Sequence, residues 1–243
     1  MSLEYRDEAA DAEPERAVPV YAPPVPYYTY ALMAGILAAF AAQLYVGPLT
    51  EQAFTAAFDK PHFRNGSYWL ILTGAAVHGG FLHVAMNSYA LFSFGRLVEM
   101  LSNRAHLAIV FLLSAVGGGI LSFLYDPNGR SVGASGGIVG LISYLAVYAF
   151  RRRQFIAPAF RKNLLINIAF IILFGLALYD VIDNSAHIGG LLAGAIYGLV
   201  QIPGDEYVDP RKAGATTEVV GIVCLGIYLA ACFFSILITL GVS

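Results

Sequence analysis

Apolar residues run along this chain in long stretches broken by short polar ones, at about 28–46, 82–101, 107–125, 134–150, 164–180, 186–202 and 218–240. Each stretch is close to the roughly 17 to 25 residues that cross a bilayer as a helix. The pattern predicts an all-α polytopic membrane protein of seven helices in one domain, with short connections setting neighbours side by side. Residues 1–26, "MSLEYRDEAADAEPERAVPVYAPPVP", precede the first run. They are acidic, then proline-rich, with no basic or apolar leader, and read as a disordered tail rather than a signal peptide.

Composition agrees: 58% of residues are hydrophobic, 12% charged, and the mean hydropathy is +0.68, too apolar for an ordinary soluble domain. Charge sets the orientation. With the N-terminus in the cytoplasm, Arg6, Arg16, Arg96, Arg104, Arg151, Arg152, Arg153, Arg161, Lys162, Arg211 and Lys212 are cytoplasmic, and only Lys60, Arg64 and Arg130 lie outside. The positive-inside rule favours that arrangement, and an odd number of helices then puts the C-terminus outside. The net charge of -2 says nothing about nucleic acid, and no basic stripe with interleaved aromatics suggests such a partner, so none is expected. Cys224 and Cys232 share the last apolar run and read as packing residues. Without CxxC, HExxH or a carboxylate-rich helix, neither a metal nor a cofactor is expected.

Polar residues inside apolar helices are costly and therefore informative. In "VHGGFLHVAMNSYALF", His83 and Asn87 are four apart and share a helix face, while His78 precedes them in a glycine turn. In "SVGASGGIVG", Ser135 opens a helix whose first N–H groups lack intrahelical partners, a ready oxyanion hole, and Gly136, Gly140 and Ser143 form a small-residue stripe. In "NSAHIGGLLAGAIYG", His187 shares a face with Gly194 and Gly198, with Gly190 slightly to one side. Ser135 and His187 begin helices that start from the same side, so topology gives them similar depth. A serine within reach of a histidine is a nucleophile with its general base. Alone, the His83–Asn87 pair is equally well read as polar glue between helices, and a lone GxSG-like match is weak, since Gly and Ser are common in membrane helices. His62 and His106 flank helices and are expected to be solvated; Asp180 and Asp183 are expected to be turn residues, leaving a dyad without a third member.

Together "HGGFLHVAMN", "GASG" and "AHIGGLLAG", in this order and spacing, resemble the rhomboid family of intramembrane serine proteases over roughly residues 28–202. The resemblance implies a six-helix core over 27–202, a cytoplasmic linker over 203–217 and an added seventh transmembrane helix over 218–243. It implies Ser135 as nucleophile, His187 as base, and His83, Asn87 and the Ser135 N–H around the oxyanion. Gly133 matches the glycine of the nucleophile loop, Gly190 and Gly194 the close helix packing, and Gly95 with Glu99 the family's GxxxE pattern. The fifth helix and the loop 179–186 match its gate and cap. Implied substrates are single-pass or otherwise membrane-anchored proteins, cut in or near their transmembrane segments, with the bacterial inner membrane the expected location. Leu70 after Trp69, Val139 four after the nucleophile and Asn103 depart from common family residues. A transporter would show repeats or intramembrane carboxylates, which this sequence lacks. The alternative is a catalytically impaired rhomboid-like factor that binds membrane proteins.

Overall fold

The computed structural model describes residues 24–48, 50–179, 182–205 and 207–242, so most of the 1–26 tail lies outside the described residues. A helix overlaps each of the seven apolar runs, α7 starting six residues before its run: α1 (Tyr27–Val46), α4 (Phe81–Leu101), α5 (Arg104–Tyr125), α6 (Ser135–Arg151), α7 (Pro158–Ala177), α8 (Asn184–Gln201) and α9 (Ala215–Leu240). Two short helices, α2 (Lys60–Arg64) and α3 (Leu70–Thr73), lie between α1 and α4. The all-α expectation needs one addition. Strand β1 (Phe58–Asp59) pairs antiparallel with β2 (Arg130–Ser131), Phe58 opposite Ser131.

Local chemistry sets the boundaries. The Asn103 side chain accepts the Ala105 N–H at 2.7 Å and so caps α5; Pro158 occupies the first turn of α7, where its missing N–H costs nothing. Gly241, at φ +71°, closes α9 in the left-handed conformation that glycine adopts freely. By length and apolarity α1, α5, α7 and α9 can each cross a membrane, and α6 is a shorter apolar helix.

The centre of the molecule is α8 packed against α5 and α6. Glycine makes this approach possible. A Cβ on Gly190 would lie 2.2 Å from the Gly136 carbonyl oxygen, one on Gly194 2.1 Å from that of Gly140, and one on Gly189 2.4 Å from that of Gly117. Backbone thus meets backbone along α8 on both sides, the small-residue packing that brings membrane helices together.

Helix α9 lies against α1 and α5. Cys224 and Cys232 are free and buried there. The buried Tyr228 donates its hydroxyl to the carbonyl of Ala75 at 3.0 Å, tying α9 to the segment that leads into α4. Helix α7 differs: of its residues only Leu164 and Gly175 are buried. His106 corrects the sequence expectation. It is 7% exposed within α5, and its Nδ1 lies 2.8 Å from the Tyr197 hydroxyl on α8, because the helix starts a turn earlier than the apolar run and carries the ring inside.

Candidate active site

Helices α4, α6 and α8 bring their N-terminal ends together, and with them His83, Ser135 and His187. Ser135 Oγ and His187 Nε2 are 2.9 Å apart. With the hydroxyl donating, Nε2 is the acceptor and the neutral imidazole carries its proton on Nδ1. That Nδ1 is buried and, among the described residues, has no hydrogen-bond partner. The pair is chemically able to pass the hydroxyl proton to the ring.

The turn before Ser135 is shaped by Gly133, at φ +111°, a conformation that side chains resist. Its N–H donates to the Gly74 carbonyl at 2.9 Å, joining this turn to the segment between α3 and α4. A Cβ on Gly133 would lie 2.7 Å from both Cε1 and Nε2 of His83, so the His83 ring edge faces the turn directly. His83 Nδ1 accepts the Gly79 N–H at 3.2 Å, which places the proton of the neutral ring on Nε2 and makes that edge a donor. Asn87 is 6% exposed and gives one amide hydrogen to the His83 carbonyl at 3.0 Å, keeping a second for another acceptor. The N–H of Ser135, in the first turn of α6, has no intrahelical acceptor. Donors from two side chains therefore face the Gly133 turn that leads into the serine and its backbone N–H.

His78 is fully buried in the turn before α4, off the His83–Asn87 face, with its ring 5.0 Å from that of His83. What holds it was missed in the sequence. Gln43, 1% exposed on α1, accepts the His78 N–H at 3.0 Å and donates to the carbonyls of His78 and Ala53, both at 3.1 Å. A lone glutamine in an apolar helix was the available signal. Leu70 and Val139 are buried apolar residues, and His62 is exposed on α2 with Nδ1 2.7 Å from Asp59 Oδ1.

Asp183 also differs from expectation. It is the N-cap of α8, its side chain accepting the Ala186 N–H at 2.9 Å, and it binds the hydroxyls of Ser122 and Ser131. Turn chemistry alone does not account for that set of partners. Asp180 lies outside the described residues. Glu99 accepts from the Thr29 N–H and hydroxyl, both at 2.7 Å, with a Cβ on Gly95 only 2.7 Å from Thr29 Oγ1, so the GxxxE residues join α4 to α1.

Comparison with known proteins gives the class. Residues 65–204, more than half of the chain, match the Rhomboid domain, and the chain belongs to the rhomboid family. It is 33% identical over 172 residues to "Rhomboid protease GluP" of Bacillus subtilis (strain 168), a match covering 70% of this chain and 34% of that protein. It is 34% identical over 163 residues to "RHOMBOID-like protein 6, mitochondrial" of Arabidopsis thaliana, covering 64% of this chain and 52% of that one. "Putative rhomboid protease YdcA" of Bacillus subtilis is 28% identical over 143 residues, covering 58% and 71%. The chain thus spans about a third to a half of the length of the first two relatives. Family and apolar helices together make it a multi-pass integral membrane protein.

Proposed function

We propose that this protein is an intramembrane serine endopeptidase that hydrolyses peptide bonds of membrane-anchored proteins, with Ser135 as nucleophile and His187 as general base. The observation that carries the reading is the 2.9 Å contact between Ser135 Oγ and His187 Nε2, beside a His83 ring that turns a donor toward the same turn.

In this mechanism Ser135 Oγ attacks the scissile carbonyl carbon while its proton passes to His187 Nε2. The developing oxyanion is met by the Ser135 N–H, His83 Nε2–H and the free amide hydrogen of Asn87. The C–N bond breaks as the His187 proton moves to the leaving amine. A water then repeats the sequence on the acyl-enzyme, giving its proton to His187 and releasing the acid and Ser135. Gly133, Gly190 and Gly194 let these parts approach; no metal or cofactor has a step.

The proposed organisation is a six-helix core over 27–202, a linker over 203–217 and a seventh transmembrane helix over 218–243, with the N-terminus cytoplasmic and the C-terminus outside a bacterial inner membrane. The exposed α7 supports access for a substrate helix from the lipid on that side. A helical peptide bond is shielded by its own hydrogen bonds, so the preferred substrate has a segment weakened by Gly or Pro near its outer boundary. The test is labelling by a fluorophosphonate probe together with cleavage of a single-pass substrate. Wild type should label and cleave, while Ser135→Ala and His187→Ala should do neither and still be extracted as folded protein. Near-native cleavage by either variant would remove the dyad.

A further inference from the structure

Lys60 has its side chain 3% exposed, an unusual place for a lysine unless it is paired. Its Nζ lies 3.7 Å from Asp126 Oδ2 and 3.9 Å from Asp183 Oδ2. Asp183 spends the rest of its accepting capacity in two directions. Toward α8, Oδ1 accepts the Ala186 N–H at 2.9 Å and the backbone carbonyl accepts the His187 N–H at 3.2 Å. Toward the other segments, Oδ2 accepts the hydroxyl of the fully buried Ser122 on α5 and that of Ser131 on β2, the latter at 2.5 Å.

We propose that Asp183 is a positioning residue that sets the spacing of Ser135 and His187, one carboxylate clamping the strand that leads into the nucleophile turn to the first turn of the helix that carries the base. The proposal rests on the dyad reading. Ser131 precedes Ser135 by four residues, and the β1–β2 ladder together with the Gly133 to Gly74 hydrogen bond leaves the intervening chain little freedom. His187 follows Asp183 by four, one helical turn. The two arms of the carboxylate therefore end one short rigid connection from each reacting atom. Asp183 acts through these connections rather than on the ring, since its oxygens are taken by the Ala186 N–H and the Ser122 and Ser131 hydroxyls, and among the described residues His187 Nδ1 meets no hydrogen-bond partner.

Capping alone does not explain an aspartate here, since Ser, Thr or Asn cap a helix as well. Both oxygens are occupied, and the clamp needs the ionised form, which has no proton to spoil either arm. Burial alone would raise the Asp183 pKa, yet the two serine hydroxyls, the Ala186 N–H and Lys60 outweigh it and hold the carboxyl below the ordinary carboxylate range.

The test compares Asp183→Asn, which retains a capping oxygen, with Ser131→Ala, which leaves the α8 cap untouched. Each is assayed for kcat and KM on a single-pass substrate in detergent, per active site titrated with the fluorophosphonate, alongside melting temperature. The clamp predicts that kcat per titrated site falls by about three-fold or more in both variants with KM nearly unchanged, because the loss is one of alignment. A fall smaller than that in either variant overturns it, whatever happens to the melting temperature. Ser135→Ala runs in parallel: turnover there would sink the dyad reading, whereas an inert Ser135→Ala beside unimpaired clamp variants would sink only the clamp.

Discussion

Gly190→Ala adds one methyl at the point where α8 and α6 touch beside the candidate dyad. That carbon would lie 2.2 Å from the Gly136 carbonyl oxygen, 2.9 Å from its carbonyl carbon and 3.2 Å from its Cα. All three atoms belong to helix backbone, so nothing can rotate aside. To restore even 3.0 Å, α8 has to retreat from α6 by roughly 0.8 Å, close to the ~1 Å displacement that can cost a site about a hundred-fold in rate. Gly136 directly follows Ser135 and Gly190 lies one turn beyond His187, so the retreat opens the 2.9 Å contact itself. The expected fall in kcat is roughly 10- to 100-fold. Stability should fall by no more than about 3 kcal/mol: overpacking costs about 1–3 kcal/mol, and the better helix propensity of alanine returns up to about 1 kcal/mol. Cleavage of a fluorogenic transmembrane substrate in detergent measures the first quantity and thermal unfolding the second. Gly226→Ala is the control, because a Cβ there meets nothing within 4 Å, and it should stabilise α9 by about 0.5–1 kcal/mol. A Gly190→Ala enzyme with undiminished kcat would refute the claim that glycine contact sets the dyad distance.

Further outcomes follow from the same geometry. His83→Ala and Asn87→Ala should each lower kcat by about 10²- to 10³-fold with little change in KM, as expected for oxyanion donors; reduced stability with unchanged kcat would make both residues packing instead. Gln43→Leu strands the His78 N–H and two carbonyls, and should destabilise the protein by about 1–3 kcal/mol in thermal unfolding; an unshifted melting temperature would contradict that role. The lowered pKa of Asp183 stabilises the fold fully above the unfolded value of about 3.9, and the stabilisation is lost as pH falls through the lower folded value. The stability gap between wild type and Asp183→Asn should therefore narrow below about pH 4, and a gap constant from neutral pH to strong acid would count against it.

The helices were legible because each apolar run is nearly unbroken, and the boundaries of α4, α6 and α8 lay where glycine or a capping residue marked them. Ser135, His187, His83 and Asn87 stood out for the opposite reason, being polar where polarity is costly. Gln43 carried the same signal and was passed over, since its partners are backbone groups that no side-chain pattern reveals. The roles of Asp183 and Lys60 were hidden differently. In the sequence both fall in polar stretches between apolar runs, where charge is ordinary, and only the meeting of α5, β2 and α8 shows that they are enclosed. His106 was misread because its position near a helix end says nothing about which neighbour covers it, here Tyr197 from a distant helix.

The hydrogen bond from Tyr228 to Ala75 joins residues 153 positions apart, and Gly74, beside Ala75, receives the N–H of Gly133. In the order of synthesis, this makes α9 the last part needed to brace a loop made long before it. At about 5–20 residues per second, a ribosome takes roughly 5–20 s to travel from residue 133 to residue 228. Throughout that interval the nucleophile turn can already be inserted while the segment it leans on lacks its final tie. The Gly133 turn is therefore held first by its own ladder and by the Gly74 carbonyl, and the segment it leans on receives its last tie only when the tyrosine arrives.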